Sequence, residues 1–524
     1  MGGGIALTAL LADLPVVLYD VSPEMLAQAS SYISSQLEKK RKAINFKYLT
    51  LTGDLDSLAR CNFVIEAVPE ELDLKSALFA QLDRICPPPA ILATNTSTLS
   101  VTAIAAATST PERVGGMHFF NPAPVLPLVE VIRGARSSAA TIEALVELAK
   151  RLGKTPVVAR DTPGFIANRV ARPFYGEALR LLGEGAAPHE EIDRIVRSGG
   201  FRMGPFELMD LIGIDVNFTA TRSVFEQTFY EPRYRPHPIQ AQMVAQKALG
   251  RKTGRGFYDY SDPNPGTRRR QPFTSAAKAP GSSQDDAAGA PPVDLLHTRV
   301  TSGKWGAALA ARLPAVEEAF PHSSVDQTGM ILMTCGKDER LRERLTSLEE
   351  ELGPEVPILC QCVDVTLGEV SSWMRNPERV VGFDSLFFPQ PPRGDSQADQ
   401  GPEPVLTLVA IPRTSPAARA AAERFSAGLG CEPVWIDDAP ALVLPRIVAC
   451  LANEAAFAEG EGVADPDTID LAMRLGMNYP KGPLAWAREI GYAQICSILA
   501  HLQSEYGEDR YRPAPLLRRW ARLA

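Results

Sequence analysis

The chain lacks a basic excess. Its 54 Lys and Arg stand against 62 Asp and Glu, a formal net charge of −8, which argues against a general nucleic-acid binder. An anionic ligand remains possible, since a few local cations suffice to hold one. A cysteine framework is also missing. Eight cysteines are spread over 524 residues without regular spacing, as expected of reduced intracellular thiols in a cytoplasmic protein. Cys360 and Cys362 form the one close pair, in an apolar stretch with no histidine nearby. They are expected as buried strand residues, not as ligands, because zinc sites gather four donors; no metal is expected. No apolar run approaches the roughly 20 residues of a membrane span, so no membrane partner is expected. The opening MGGGIALTALLADLPVVLYD is apolar but has no basic n-region, and it runs directly into a strand-like segment ending at Asp20. It reads as part of the fold, not as a signal peptide.

What is present is ordinary globular composition, 45% hydrophobic and 22% charged, in a chain long enough to divide into two to four domains. Up to about residue 160, short β-rich runs alternate with helical stretches: Val16–Tyr19, Phe63–Ile65, Ile91–Thr94, Val114–Met117 and Leu128–Ile132. That rhythm predicts an α/β Rossmann-type domain, a doubly wound parallel sheet, over 1–160. Amphipathic helices then predict an all-α domain over 161–260. Residues 261–297 are rich in Pro, Gly, Ser, Ala and Asp and read as a disordered linker, with Arg268, Arg269 and Arg270 as a solvated tether.

Beyond the linker the chain repeats itself. GKTPVVARDTPGF from Gly153 lines up with GCEPVWIDDAPAL from Gly430, and Asp161/Asp438, Arg169/Arg446, Glu177/Glu454 and Asp193/Asp470 keep one offset of 277. The offset slips by one at Pro205/Pro483. PERVGG from Pro111 resembles PERVVG from Pro377, and PVLPLVEV from Pro124 resembles PVLTLVAI from Pro404. The second half is therefore read as a degenerate copy: an α/β repeat over 298–429 and a second helical domain over 430–524.

Four segments of the first copy hold polar residues where an apolar core would not place them. Ser97 follows a strand end in ATNTSTL, His118 ends the next strand in GGMHFFNP, and Glu130 sits inside the apolar strand LPLVEVI. Asn168 lies in DTPGFIANR, about two turns into the first helix after Asp161. In open parallel sheets, ligands bind beyond the carboxyl ends of the strands. Taking hydride from a secondary alcohol requires a base on the hydroxyl proton, and histidine titrates in the right range. A buried carboxylate on the other ring nitrogen fixes the tautomer. Each residue alone also has a structural reading: a strand-end hydrogen bonder, an arginine partner, a backbone cap. The repeat weighs against it. Glu130 aligns with Ala410, Asn168 with Pro445, and the stretch matching His118, GFDSLFFP, has no histidine. The copy is thus expected to hold no active site and to dock on the first copy through its helices.

The ordered motifs TNTS, HFFNP, LVE, DTPGF-x-x-NR, MGPFEL-x-D and GRKTGRGFYDY resemble those of the L-3-hydroxyacyl-CoA dehydrogenases over residues 1–260. Long members of that family, of the 3-hydroxybutyryl-CoA and 3-hydroxyadipyl-CoA type, likewise carry a second C-terminal domain. The resemblance implies NAD as cofactor and a short (S)-3-hydroxyacyl-CoA as substrate, in fatty-acid or phenylacetate-type catabolism. It also implies an acyl-CoA partner and a homo-oligomer or internal pseudo-dimer through the helical domains. By it, His118 is the base, Glu130 its partner, and Ser97 and Asn168 position the 3-oxygen and thioester. Asp20 would hold the adenosine ribose, with Gly2, Glu70, Lys75, Ser97 and Lys252 near the cofactor or CoA; each of Glu70, Lys75 and Lys252 also reads as a surface charge.

The family opens with a strand and G-x-G-x-x-G, whereas Met1-Gly2 corresponds to the end of that motif. The first strand and the two glycines nearest the pyrophosphate are expected upstream of the sequence given. Two rival readings stay open: a non-catalytic CoA-binding or scaffolding remnant, and a sugar-acid dehydrogenase with the same His–Glu pair.

Overall fold

The computed structural model describes residues 1–39, 48–261, 298–301, 330–333, 339–384, 386–387 and 404–523. All but the first residue of the expected linker 261–297, including Arg268–Arg270, lies outside them. The chain forms two compact units that cut across the repeat. One contains Met1–Ala171, Ala220–Tyr230 and Glu454–Ala485; the other contains Arg172–Thr219, Glu231–Asn453 and Trp486–Ala524.

In the first unit, helix α1 (Gly2–Leu11) leads into β1 (Val16–Tyr19), which pairs in parallel with β2 (Leu49–Thr52). A five-stranded sheet follows in the order β3 (Phe63–Glu66), β4 (Ile91–Thr94), β5 (Val114–Phe119), β6 (Leu128–Arg133) and β7 (Thr155–Arg160). The strands named in the sequence all form. The sheet is mixed, however, not wholly parallel: β6 runs antiparallel to β5. The connection between them is too short for a crossover helix, so the chain folds straight back. The Ile91, Val114 and Leu128 runs are buried between helices on both faces, as central strands require.

The second unit holds a six-stranded sheet in the order β8 (Thr298–Thr301), β9 (Met330–Met333), β10 (Ile358–Gln361), β11 (Val380–Phe383), β12 (Val405–Val409), β13 (Glu432–Ile436). Its β11–β12 pair is again antiparallel, with Gly382 opposite Val409 and Phe383 opposite Leu408, just as Gly116 faces Ile132 and Met117 faces Val131. Cys360 and Cys362 are buried as expected. The register corrects one alignment. Asp384, whose N–H donates to the Thr407 carbonyl, stands where His118 does, and Thr407, not Ala410, stands where Glu130 does. The shared letters PVL had pulled the alignment three residues out of the strand pairing, which β13 fixes at the same offset as β7.

Asp384 is fully buried, and burial pushes its carboxyl up to about 7, offset only in part by the Leu386 and Phe387 amides that donate to it. The folded state therefore favours the neutral acid. As pH rises from the ordinary carboxylate range to about 7, the unfolded chain ionises first and stability falls. Asp384→Asn removes that loss while keeping the oxygen both amides use. It is expected to stabilise the protein by about 2–4 kcal/mol above pH 7 and by almost nothing near pH 4. Urea unfolding of both proteins across that range checks this; an advantage independent of pH would be evidence against a neutral Asp384.

The helical parts repeat their caps. Asp193 accepts from the Phe206 and Glu207 amides at the start of the helix Pro205–Ile212. Asp470 accepts from Leu484 and Ala485 at the start of Pro483–Ile490. The charged residues that share the offset of 277 meet reciprocally across the copies. Arg169 binds Glu454 in the first unit and Arg446 binds Glu177 in the second, each at 2.8 Å and nearly without solvent exposure. Among the described residues no helix is long and apolar enough to cross a membrane.

Candidate active site

The antiparallel turn into β6 places His118 directly opposite Glu130. Facing residues on such a pair lie on the same side of the sheet, close enough for side chains to meet. His118 Nδ1 donates to Glu130 Oε2 at 2.7 Å, with Glu130 fully buried and His118 nearly so. That bond assigns the ring proton to Nδ1 and leaves Nε2 as the basic nitrogen. Among the described residues, Nε2 takes no hydrogen bond. The Phe120 ring lies 4.6 Å from the imidazole, centroid to centroid, and the Phe119 amide donates to Asn95 Oδ1 at 2.8 Å, fixing the end of the strand.

The other Glu130 oxygen organises the next segment. Oε1 accepts from the Ile166 and Ala167 amides, both at 3.0 Å. These begin the short helix Ala167–Val170 after a left-handed turn at Gly164 and Phe165 (φ 77° and 48°). At Gly164 an added Cβ would come within 3.0 Å of the Arg169 amide, so glycine fits there. Asn168 therefore lies in the first turn after this bend, not two turns into a helix; Pro163-Gly164 delays the helix that periodicity alone would begin at Asp161. From there Asn168 Nδ2 donates to the Ser97 carbonyl at 3.3 Å. Ser97, Asn168, His118 and Glu130 thus belong to one connected arrangement.

The Ser97 loop is itself held by Glu70, whose Oε1 accepts from the Thr96 hydroxyl and the Ser97 and Thr98 amides at 2.6–3.0 Å. Burial alone would raise the Glu70 carboxyl. The Thr96 hydroxyl, the Lys75 charge and the two amides outweigh it and hold it below the usual range. Lys75 is buried, not a surface charge. It is 1% exposed, with Nζ bonded to Glu66 Oε1 at 2.6 Å and the Val68 carbonyl at 3.2 Å, and 3.4 Å from Glu70. Glu66, whose second oxygen accepts from the Thr94 hydroxyl, had no distinguishing signal in the sequence. Neither had Ser223 and Gln227, which bond the Thr98 hydroxyl and carbonyl.

On the nucleotide side, Asp20 follows β1, its Oδ1 accepting from the Ser22 amide at 2.9 Å. The second carboxylate oxygen is then available to a ribose hydroxyl. Helix α1 has no side-chain cap at its N-terminus, where Gly2 offers backbone N–H groups suited to a phosphate. These residues fit a dinucleotide. Lys252 belongs to the second unit, half-exposed and paired with Asp215. Among the described residues, Glu369, His501 and Glu505 of the second copy bring donor atoms within 4.8 Å of one another. Glu505 is exposed, His501 Nδ1 lies 4.0 Å from it at helical i,i+4 spacing, and such pairs form without an ion.

The α/β unit with a nucleotide-binding edge and a buried His–Glu pair defines an NAD-dependent oxidoreductase, as the comparisons show. Residues 1–162 match the NAD binding domain of 3-hydroxyacyl-CoA dehydrogenase, and residues 164–260 and 442–523 match its C-terminal domain. The chain belongs to the 3-hydroxyacyl-CoA dehydrogenase family. It is 37% identical to 3-hydroxyadipyl-CoA dehydrogenase of Escherichia coli over all of this chain and 96% of that one. Its first half is 40% identical to the mitochondrial hydroxyacyl-coenzyme A dehydrogenase of Homo sapiens, covering 50% of this chain and 88% of the human one. The crystal structure of 3-hydroxybutyryl-CoA dehydrogenase from Escherichia coli K12 superposes with a TM-score of 0.75 at 35% identity, covering 100% of this chain and 96% of that one.

Proposed function

We propose that the chain oxidises a short (S)-3-hydroxyacyl-CoA to the 3-oxoacyl-CoA, with His118 as base and Glu130 as its partner. The observation that carries this reading is the 2.7 Å bond from Nδ1 to a fully buried carboxylate, which keeps Nε2 basic. Nε2 receives the proton of the 3-hydroxyl, and the imidazolium that results is stabilised by Glu130 across the strand pair. NAD, when bound, supplies the acceptor for the hydride that leaves C3. Asp20 would hold its ribose and Gly2 its phosphates. Ser97 and Asn168 bracket the 3-oxygen and the thioester, with Glu70 keeping the Ser97 loop in place and Lys75 beside Glu70.

The names of the relatives, one 3-hydroxyadipyl-CoA and others 3-hydroxybutyryl-CoA enzymes, support a short acyl chain, and we place the reaction in fatty-acid or phenylacetate-type catabolism in the cytoplasm. The two reciprocal Arg–Glu pairs support reading the copies as an internal pseudo-dimer, since an isologous contact makes residue i meet j and j meet i.

The test is NADH formation by the full chain from (S)-3-hydroxyacyl-CoA thioesters of increasing length, one of them ending in a carboxylate, beside free 3-hydroxy and sugar acids. Turnover of short thioesters alone is expected. Turnover of free acids alone would instead favour the sugar-acid reading, and CoA binding without turnover the non-catalytic one.

A further inference from the structure

We propose that the second copy, though without a His–Glu pair of its own, positions the site of the first through Glu454 and Gly476. The inference rests on the reading of His118 and Glu130 given above. The segment Glu454–Ala485 belongs to the same compact unit as the site, and it reaches the site at three points.

The first is Arg169, the residue after Asn168. Its Nε donates to Glu454 Oε1 at 2.8 Å and its Nη1 lies 2.8 Å from Glu461 Oε2. Arg169 is about 5% exposed and Glu454 about 1%, so the two charges meet where water screens them little. The single turn that carries Asn168 is thus held at its N-terminus by Glu130 and at its side by Glu454. The second and third points are Phe120 and Leu128, against which Gly476 packs. A Cβ added to Gly476 would fall 2.6 Å from Leu128 Cδ2 and 3.2 Å from Phe120 Cζ, so any larger residue must push the Leu128 side chain aside. Phe120 packs on the His118 ring, and Leu128 opens the strand that carries Glu130. A further backbone bond, from the Arg160 amide to the Val463 carbonyl at 2.9 Å, ties the segment to the end of β7. Base, partner and Asn168 are each backed by a residue that the second copy contacts, and reacting groups lose rate steeply when so supported a geometry loosens.

The chain contains its own control. Arg446 and Glu177 make the same bond at the same length and are likewise buried, with Glu184, Tyr506 and Tyr511 also on the Arg446 guanidinium, but Arg446 follows Pro445 where Arg169 follows Asn168, and its copy has no His–Glu pair. If both pairs are merely structural, loss of either lowers stability and kcat responds alike to both. With a positioning role it does not.

Glu454→Gln and Glu177→Gln, each in the full chain, keep shape and one acceptor oxygen. With (S)-3-hydroxybutyryl-CoA as the probe substrate, Glu454→Gln is expected to lower kcat by about 10-fold or more while KM changes less than about 2-fold. The deuterium isotope effect on kcat with substrate labelled at C3 should rise as hydride transfer becomes limiting. Glu177→Gln should lower the thermal midpoint by a similar amount yet leave kcat within about 2-fold. If Glu454→Gln does not fold, Gly476→Ala carries the same comparison. Equal losses of kcat in the two glutamine variants, or wild-type kcat and isotope effect in both Glu454→Gln and Gly476→Ala, would overturn the proposal. Failure of the underlying base assignment reads differently, as activity retained by a His118 variant.

Discussion

His118→Gln is expected to lower kcat by about 10²–10⁴-fold, the usual cost of removing a general base, without loss of fold. Glutamine has similar bulk, and its amide can still donate to Glu130 Oε2, so the buried carboxylate keeps the hydrogen bond that Nδ1 now supplies. What disappears is the basic nitrogen on the far side of the ring. The proton of the 3-hydroxyl then has to leave to water while the hydride departs. The same group would return that proton in reduction of the 3-oxo thioester, so both directions should fall together. Steady-state NADH formation and consumption, with NAD affinity and the thermal midpoint as controls, check the point. A variant keeping more than half the wild-type kcat would remove His118 from the chemistry.

The identity of this pair was legible in the residues; its geometry was not. A glutamate inside LPLVEVI is costly unless paired, and that marked Glu130. The alternation of strands and helices, however, predicts parallel neighbours, and in a parallel sheet residues of consecutive strands do not come into register within twelve positions. Only the return of β6 beside β5 makes His118 and Glu130 face each other. Asn168 was legible as a residue and misplaced as a position, because hydrophobic periodicity carries no trace of the left-handed bend at Gly164-Phe165. Lys75 shows a different gap. A lysine in a helix start reads as solvated, and nothing in VPEELDLK reveals that Glu66 and Glu70 enclose it. The repeat was legible down to single residues, yet identical letters at a fixed offset cannot say whether Arg169 pairs within its copy or across it. The crossing was decided by packing, and it turns shared letters into two buried bridges.

Glu130→Gln tests the link between that geometry and the chemistry most severely. The carboxylate accepts on both oxygens: from two backbone amides on Oε1 and from His118 Nδ1 on Oε2. A glutamine has only one oxygen to offer. If it faces Ile166 and Ala167, its NH2 faces Nδ1, and two donors cannot share one bond. The ring must then carry its proton on Nε2, so that Nδ1 accepts from the amide, and the nitrogen meant to take the substrate proton is already protonated. If the amide turns over instead, its NH2 meets two backbone N–H groups in a fully buried place, which costs about 1–3 kcal/mol for each donor left unsatisfied. The first arrangement is therefore preferred, and the variant should fold with a histidine in the wrong tautomer. A loss of about 10²–10⁴-fold in kcat is expected with little change in KM, since the fault lies in the proton transfer and not in binding. Nitrogen NMR of labelled histidine reads the tautomer directly: proton on Nδ1 in the parent chain, on Nε2 in the variant. A variant that retains the parent tautomer and the parent kcat would show that Glu130 serves the Ile166–Ala167 turn alone.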